Sequence, residues 1–346
     1  MEKHAKMRTK ISVVIVNWNG NQTLERCLKS LDKQIYRNFE TIVVDNFSTD
    51  SSRETLINDW AERIELLLLD GNTGYCAGNN CGIRKARGSL IALLNNDAEV
   101  EESWLEEIVG AEQRYPNAGM FASKIYFAGE RNRLDSTGLL VYPDGMCRSR
   151  GWLESDNGQF ENEEEVVAPN GAAAVYRKRM LEDAGLFDER YFAYLEDLDI
   201  ALRGWIMGYT CVYIPSAIVY HVKSASSGIH SKEKAFYAER NRIWNLLKLF
   251  PFNSIIVSPV YTLYRYFLQA LSVFNGQGAC HGFVCRYSKS ELAIVLVKAV
   301  CAGLLGVPHA LKNRRRINKR SRINSKNLAN IIKRFKLSTV ELALKD

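Results

Sequence analysis

The chain lacks the features that would place it in several common classes of protein. Its eight cysteines are scattered without a CxxC pair, which argues against a zinc site and favours a reducing compartment. The basic segment 1–10 is followed by ISVVIV, an apolar run too short for the core of an export signal. We therefore expect a protein of a reducing compartment with no export signal.

Acidic residues are absent between Glu291 and Glu341, whereas lysine and arginine crowd the same span. The net charge of +7 therefore belongs to the C-terminal part of the chain rather than to the core. This part also contains ELAIVLVKAVCAGLLGVPHALK, whose apolar run is interrupted by Lys298 and is shorter than the roughly 20 residues of a membrane span. The run predicts a core or interfacial helix.

Short β-branched runs alternate with amphipathic stretches over the first hundred residues. Strands that alternate with helices predict an α/β fold, with a mainly parallel sheet covered by helices on both faces. Such sheets bind ligands at the carboxyl ends of their strands, so the residues after each apolar run are the candidates for function. Residues 126–169 predict loops and a hairpin, and the chain beyond about residue 231 predicts helices.

Two residues that follow predicted strands suit a nucleotide base. Trp18 offers an aromatic face for stacking, although a tryptophan in the core or on the surface is the commoner case. An ionised Asp45 only accepts hydrogen bonds, which suits the N3–H of uracil or thymine. Helix capping is the alternative for Asp45, but Asp50 is the more natural cap of the next helix.

The glycine-rich stretch GNTGYCAGNNCG, residues 71–82, has neither the GxGxxG pattern of a dinucleotide site nor the GK[ST] of a P-loop. This weakens assignments to NAD-dependent or ATP-hydrolysing enzymes. Glycines such as Gly74 would let the backbone approach a ligand, with Asn80 donating from the start of a helix. A plain turn before that helix is the alternative.

Acidic residues appear at two further points. In LLNNDAEV, Asp97 follows an apolar strand and offers an oxygen ligand for magnesium or manganese, and His221 follows a second strand-like run. A lone histidine is more often structural. In YLEDLDIALRG, Glu196 and Asp197 lie within one helical turn, where a carboxylate could act as general base toward a hydroxyl. The alternative is a solvated acidic helix start favoured by the helix dipole.

These stretches together resemble the motifs of glycosyltransferase family 2, a family with the GT-A fold, and of its rhamnosyltransferase-like branch. The resemblance covers roughly residues 11–230, and its six motifs occur in order. They are SVVIVNWNG, IVVDNFSTDSS, GNTGYCAGNNCGIRKARG, LLNNDAEVEESWL, PNGAAAVYRKRMLEDAGLFDERYFAYLEDLDIALRGWIMGY and VYHVKSASSG. The resemblance implies a nucleotide-sugar half at 11–125, an acceptor and catalytic-base half at 126–230, and a helical, basic extension at 231–346.

The resemblance also implies roles for individual residues in binding the nucleotide sugar. Asp45 matches the family's base-recognising aspartate, Trp18 its base-side aromatic residue and Asn96 a residue facing the ribose. The other residues expected in this site are Val16, Asn17, Asn46, Gly74 and Asn80.

For the metal, Asp97 matches the last aspartate of the family's DxD motif and His221 matches a further ligand of some members. The cofactor would be Mg²⁺ or Mn²⁺. Asn95 replaces the first acid of the motif, so Asp97 has fewer protein partners. Asp197 matches the catalytic base of the family's ED motif, and Glu196 is expected to assist acceptor binding or hold the site's geometry.

The implied reaction moves a sugar, rhamnose from dTDP-rhamnose as the first choice, to a hydroxyl of a glycan or lipid-linked acceptor with inversion at the anomeric carbon. A UDP-sugar donor and a catalytically silent nucleotide-sugar-binding protein are the alternatives. A sugar nucleotidyltransferase is disfavoured because no glycine-rich loop with a basic residue follows ISVVIV. The segment 223–230 has the composition of a loop that closes over a diphosphate, or of a simple connector.

The implied lipid-linked acceptors favour a membrane-surface role for the basic C-terminal region, with PVYTLYRYFLQALSVF and RRRINKR lying on an anionic inner leaflet. The alternatives are a solvated tail and nonspecific contact with RNA. We expect a cytoplasmic protein, peripheral on the inner face of the membrane, with no specific nucleic-acid partner.

Overall fold

The computed structural model describes residues 9–222, 231–274 and 281–345. Within them the chain forms twelve strands and thirteen α-helices. The strands are β1 (Ile11–Asn17), β2 (Phe39–Asp45), β3 (Glu65–Leu68), β4 (Leu90–Leu94), β5 (Ala98–Val100), β6 (Ala118–Phe127), β7 (Glu130–Ser136), β8 (Leu139–Val141), β9 (Cys147–Ser149), β10 (Glu164–Glu165), β11 (Ala173–Arg177) and β12 (Thr210–His221).

The helices cover both faces of the sheet and form most of the C-terminal third. They are α1 (Leu24–Asp32), α2 (Ser52–Thr55), α3 (Gly74–Lys85), α4 (Trp104–Arg114), α5 (Lys178–Ala184), α6 (Glu196–Ile206), α7 (Lys232–Leu249), α8 (Phe252–Phe274), α9 (His281–Arg286), α10 (Lys289–Leu305), α11 (Val307–Arg320), α12 (Ser325–Arg334) and α13 (Thr339–Leu344). A π-helical turn, Leu56–Trp60, continues α2, and a 3₁₀ turn spans Glu189–Tyr191.

The main sheet has the strand order β10-β12-β6-β11-β4-β1-β2-β3, with β5 paired to β12 and β7 paired to β6. The pairs β1–β2, β1–β4, β2–β3 and β6–β12 are parallel, and the remaining pairs of this sheet are antiparallel. The mixed sheet flanked by helices confirms the predicted fold class, but the expectation of a mainly parallel sheet is wrong, since five of its nine strand pairs are antiparallel. β4 is central, between β1 and β11, so its carboxyl end delivers residues to the middle of one sheet edge.

Both faces of the sheet are buried, which explains why the strands are continuous apolar runs rather than alternating ones. On β1, Val14 belongs to the core on one face, whereas Val13 and Ile15 belong to the core on the other. α3 packs unusually close to this strand because it carries glycines. A Cβ added at Gly82 would lie 2.3 Å from Val14 Cγ1, and one at Gly78 would lie 2.8 Å from Val16 Cγ1. These glycines therefore serve helix–strand packing.

Three elements differ from what the local sequence pattern indicates. The runs YTCVYI and AIVYHV form one strand, β12, with a register shift between Ile214 and Ile218 that accommodates Pro215 at a bulge. The helix whose start was expected to hold Asn80 begins earlier, at Gly74. Strand β11 was not expected, since its alanine-rich sequence carries little β-strand signal.

The C-terminal helices share the core of the sheet domain. Ile317, Leu328, Ile332 and Phe335 belong to the same buried cluster as Trp205 of α6. The basic span of the sequence is therefore packed helices rather than a solvated tail. No single described helix is long and apolar enough to cross a membrane, and one pair, Lys289–Leu305 with Val307–Arg320, passes that test only when the two are taken together across a 50° bend.

Candidate functional site

The carboxyl ends of three neighbouring strands are joined by Asn17. Parallel pairing sets Asn17 beside Asp45. The Asn17 amide nitrogen donates toward Asp45 Oδ1 (3.1 Å), Ser48 Oγ (3.0 Å) and Ser52 Oγ (2.9 Å). Its oxygen accepts from Asn96 Nδ2 at 2.8 Å. Asn17 is fully buried, so its role in this structure is to fix the ends of β1 and β2 and the turn after β4 relative to each other.

Asp45 is also fully buried, which departs from the expectation of a carboxylate open to a base. Its Oδ2 accepts from the Ser48 backbone N–H (3.2 Å) and lies 3.5 Å from the Arg53 guanidinium. Asp45 therefore holds the turn after β2. Asp50 accepts from Ser52 N at 3.1 Å, as its predicted position near the helix start suggested. Trp18 keeps 37% of its surface exposed, so its ring is available for stacking.

The glycine-rich stretch is held by side chains rather than left open to a ligand. The Asn46 oxygen accepts from Thr73 N (2.9 Å), and the Asn46 amide donates to Asn72 Oδ1 (3.0 Å). Gly74 has φ of +82°, and an added Cβ would lie 2.5 Å from the Phe192 ring. Gly74 is thus required for the turn and for the approach of Phe192.

Asn80 does not serve as the expected donor to a ligand. It is buried, its amide donates to Phe187 O and Glu189 Oε1, both at 2.9 Å, and its oxygen accepts from Phe187 N at 3.0 Å. Because the helix begins at Gly74, Asn80 lies in its second turn. The side chain anchors the loop before α6.

Asp97 and His221 come together, as predicted, with a third residue that the sequence did not suggest. The Asp97 Oδ1 atom lies 3.1 Å from His221 Nε2, and Asp135 Oδ2 lies 2.7 Å from His221 Nδ1. All three side chains are buried. Burial would lower the pKa of His221, but hydrogen bonds to Asp135 and Asp97 outweigh it and raise this pKa to about 9.

This arrangement fits a divalent cation with two protein ligands. Two donors at right angles around Mg²⁺, each about 2.1 Å from the ion, are about 3 Å apart, close to the Asp97–His221 separation. Asp135 on the other ring nitrogen would fix the histidine tautomer, as carboxylates commonly do behind a metal-bound histidine. The described residues contain no group of three His, Cys, Asp or Glu side chains suited to an ion, so the remaining ligands would be phosphates and water.

The two acids at the start of α6 differ in environment. Glu196 is buried, and burial followed by the charge of Asp197 raises the pKa of Glu196 well above its usual range. Asp197 is half-buried. Burial raises the pKa of Asp197 to about 6, against backbone hydrogen bonds from Leu198 and Gly171 that lower it. Burial therefore favours the protonated form of Glu196, and a buried acid of this kind is not the solvated helix start that was the alternative.

Glu196 Oε2 is buried and has no hydrogen-bond partner within the part of the chain that the structure describes. Such an atom is costly unless something else satisfies it. Gly171 approaches both acids and accepts from the Tyr75 hydroxyl at 2.7 Å. The next residue, Ala172, accepts from Asn95 N at 2.9 Å, so the acids lie beside the end of β4.

α7 clamps the loop that leads into these acids. Phe192, Tyr194 and Leu195 all have positive φ, of 64°, 71° and 63°. Asn241 is fully buried, and its amide nitrogen lies 3.1, 2.9 and 2.7 Å from the carbonyl oxygens of Tyr191, Ala193 and Tyr194. The two protons of this amide can satisfy two of the three carbonyls of a strained turn at a time, so Asn241 positions the start of α6.

The other predicted features have structural roles or fall outside the description. Asp199, four residues before Arg203 on α6, pairs with Arg203 (2.7 Å) and also with Lys248 (2.6 Å). Val16 is half-buried against Gly78. The predicted loop 223–230 lies outside the described residues.

A cavity of about 560 Å³ lies away from this edge, lined among others by Gly88, Arg177 and Arg322. Two of its arginines are paired, Arg177 with Glu112 and Arg322 with Asp183. None of the predicted site residues lines it.

The sequence model described as "Glycosyl transferase family 2" matches residues 12–185, half of the chain. The chain belongs to glycosyl transferase family 2. The matched region contains the strand ends and Asp97, whereas Asp197 and His221 follow it.

Curated relatives place this family 2 chain in the rhamnosyltransferase-like branch. The O-antigen biosynthesis protein RfbC of Myxococcus xanthus is 28% identical over 66% of this chain, which spans only 18% of that longer protein. The N-acetylglucosaminyl-diphospho-decaprenol L-rhamnosyltransferase of Mycobacterium tuberculosis is 26% identical over 68% of this chain and 86% of the relative.

Solved structures confirm the GT-A fold of this family 2 chain. TarS residues 1–349 of S. aureus, in complex with UDP-GlcNAc, aligns with a TM-score of 0.54 at 17% identity, covering 94% of this chain and 90% of TarS. GalNAc-T7 with UDP, GalNAc and Mn²⁺ aligns with a TM-score of 0.57 at 17% identity, over 70% of this chain and 48% of GalNAc-T7. At this identity the likeness concerns the fold alone.

Proposed function

We propose that the chain is an inverting glycosyltransferase that moves a sugar from a nucleoside diphosphate donor to an acceptor hydroxyl, with Asp197 as general base. The observation that carries the proposal is the pair at the start of α6. Asp197 is half-buried with a pKa near 6, beside a Glu196 whose buried Oε2 has no partner among the described residues. A base with a pKa slightly below neutral is ionised at working pH and still able to take a proton.

In the proposed step, the acceptor hydroxyl gives its proton to an Asp197 carboxylate oxygen while the acceptor oxygen bonds to the anomeric carbon. The bond between that carbon and the diphosphate breaks, and its electron pair leaves with the diphosphate. Attack from the face opposite the leaving group inverts the configuration. Glu196, whose burial raises its pKa and favours the protonated form, would hydrogen-bond the acceptor and so satisfy the oxygen that has no partner among the described residues.

Asp97 and His221 would hold Mg²⁺ or Mn²⁺, with Asp135 orienting the histidine. The ion would neutralise charge on the departing diphosphate, so no general acid is required. Trp18, exposed beside Asn17, would stack on the base. Asp45, Asn46 and Asn80 contribute by fixing the loops, as their internal hydrogen bonds indicate.

We propose rhamnose from dTDP-rhamnose as the donor sugar, which the name of the mycobacterial relative supports, and a glycan or lipid-linked acceptor. A UDP-linked sugar is the second candidate. The TarS complex with UDP-GlcNAc gives a precedent for such a donor on this fold.

A donor panel tests the proposal. The protein is incubated with Mn²⁺ and dTDP-rhamnose, UDP-glucose or UDP-GlcNAc, and both the melting temperature and the released nucleoside diphosphate are measured. We expect one donor to stabilise the protein and to be cleaved slowly even without acceptor. Stabilisation by a donor without cleavage, with a range of polyprenyl-linked and soluble glycan acceptors present, would favour the silent binding protein instead.

A further inference from the structure

Helix α8 exposes its apolar side and buries its polar side, the reverse of a surface helix in water. Its outward side carries a continuous apolar stripe at helical spacing, with side chains between 44% and 69% exposed. The stripe consists of Phe252, Ile256, Val260, Leu263, Phe267 and Leu271. Of its residues 252–274, only Arg265 is charged.

The polar side of α8 faces the protein. Arg265 is 1% exposed and bonds Asp144 Oδ2 (2.9 Å) and Glu239 Oε1 (2.8 Å). Ser258 and Ser272 are also buried. An apolar side that is exposed to water forgoes the stabilisation that its burial would provide. The stripe is therefore suited to contact with an apolar phase or partner.

A second exposed apolar face lies on α10, at Ile294, Val297, Leu304 and Leu305, which are 53% to 83% exposed. Both helices pack on α7. Glu239 of α7 bonds Arg265 of α8, and Trp244 of α7 donates to Gly303 O of α10 at 3.0 Å. We call the two exposed faces together the apolar surface.

Beyond Glu291, which pairs with Lys232 at the start of α10, the charges of α10 and α11 are all positive. Lys298 is exposed beside Val297, and α11, which follows α10 after Gly306, exposes Lys312, Arg315 and Arg316. No acidic residue occurs between Glu291 and Glu341. Apolar side chains combined with unopposed cations are the signature of a helix that lies in the interface of an anionic bilayer.

We propose that the apolar surface of α8 and α10 binds the surface of an anionic lipid membrane, with the cations of α10 and α11 contacting lipid headgroups. A second copy of the chain is the other apolar partner to weigh. A symmetric pairing through the same faces would bring two acid-free cationic segments toward each other, which disfavours it. The proposal is independent of the reaction proposed above.

Vesicle flotation tests the proposal directly. The full chain is mixed with vesicles of phosphatidylcholine alone or of an equal mixture with phosphatidylglycerol, and the floated fraction is measured. We expect flotation with the anionic vesicles, weaker flotation with the neutral ones, and loss of the difference at high salt, where headgroup charges are screened. No flotation with either kind of vesicle would overturn the proposal.

Matched variants separate the apolar and charged contributions. The double change Val260→Glu and Phe267→Glu should reduce partitioning at least tenfold without changing the melting temperature, because both side chains are exposed. Ile35→Glu, at a side chain 57% exposed near the start of β2, is the control and should not change partitioning. Arg315→Gln with Arg316→Gln should weaken binding several-fold to anionic vesicles only.

Sedimentation distinguishes the membrane from a second copy. The wild-type chain should remain monomeric in the absence of lipid over the concentrations used for flotation. A dimer that dissociates in the Val260→Glu, Phe267→Glu variant, combined with vesicle binding that this variant retains, would assign the surface to self-association and overturn the proposal.

Discussion

Replacing Asn241 by alanine removes the clamp on the turn before α6, and the structure allows the cost to be estimated. An amide nitrogen has two protons, so at most two of the three facing carbonyls are bonded at once. Each buried carbonyl left without a partner costs about 1–3 kcal/mol. The three positive-φ residues Phe192, Tyr194 and Leu195 store further strain that favours rearrangement once the bonds are lost.

Tyr191 O also accepts from Arg240 Nη2 at 2.8 Å, so the two carbonyls that lose their partner are those of Ala193 and Tyr194, and the expected cost to the native turn is about 2–6 kcal/mol. Because α6 begins directly after Leu195, a rearranged turn would displace Glu196 and Asp197. If that cost falls on the active conformation, kcat/KM falls by roughly 30- to 20,000-fold, since every 1.4 kcal/mol is tenfold. The assay is initial-rate kinetics at saturating donor, and the donor's dissociation constant should change little because Asn241 does not contact the strand ends.

A control variant separates positioning from general destabilisation. Trp104→Phe removes the bond from Trp104 Nε1 to Ser123 Oγ (2.9 Å) in the core on the other face of the sheet. It should lower the melting temperature without lowering kcat. The positioning role would be refuted if Asn241→Ala lost stability to the same extent and kept the wild-type kcat.

Three further outcomes are expected. The logarithm of kcat/KM should rise with unit slope below about pH 6 and then level, because Asp197 must be ionised to act as base. Because the pKa of Asp197 is raised above its unfolded value, this group contributes stability at low pH, and that stability is lost as the pH rises through about 6. A value of kcat/KM that does not change between pH 5 and 7 would contradict the assignment. Asp135→Asn should raise the dissociation constant of Mn²⁺ by about 10- to 100-fold, measured by calorimetry in the presence of nucleoside diphosphate. Without nucleotide, Mn²⁺ should bind the wild type weakly, and tight binding would contradict a site that phosphates complete. Gly82→Ala should destabilise the fold by about 1–3 kcal/mol in denaturant titrations, because the added Cβ meets Val14, while Gly129→Ala, with open space around it, should be nearly neutral.

The parts of the fold carried by local patterns were predictable. Continuous apolar strands between amphipathic helices indicated a doubly covered sheet, and strand ends indicated where Asp97 and His221 would lie. Periodicity gave no indication of β11, since GAAAVY has weak β-strand preference and is held in the sheet by its neighbours β4 and β6.

The details of the site depended on contacts between residues far apart in sequence. Asp135 meets His221 across 86 residues, and Asn241 meets Tyr194 across 47. Nothing local in the sequence marks either pairing. Likewise, Asp45 and Asn80 have the residue types of ligand contacts, and only the packed structure reveals that their hydrogen-bonding capacity is used internally.

The central claim is that Asp197 acts as the base at a competent donor site, and one comparison tests it most directly. Asp197→Asn keeps the size of the side chain and removes its ability to take a proton. We expect kcat for transfer to fall by about 10²- to 10⁴-fold. The donor's dissociation constant in the presence of Mn²⁺ should stay within about twofold of the wild-type value, which is a difference of less than about 0.4 kcal/mol in binding free energy. A variant that binds donor normally and turns over at the wild-type rate would contradict the account.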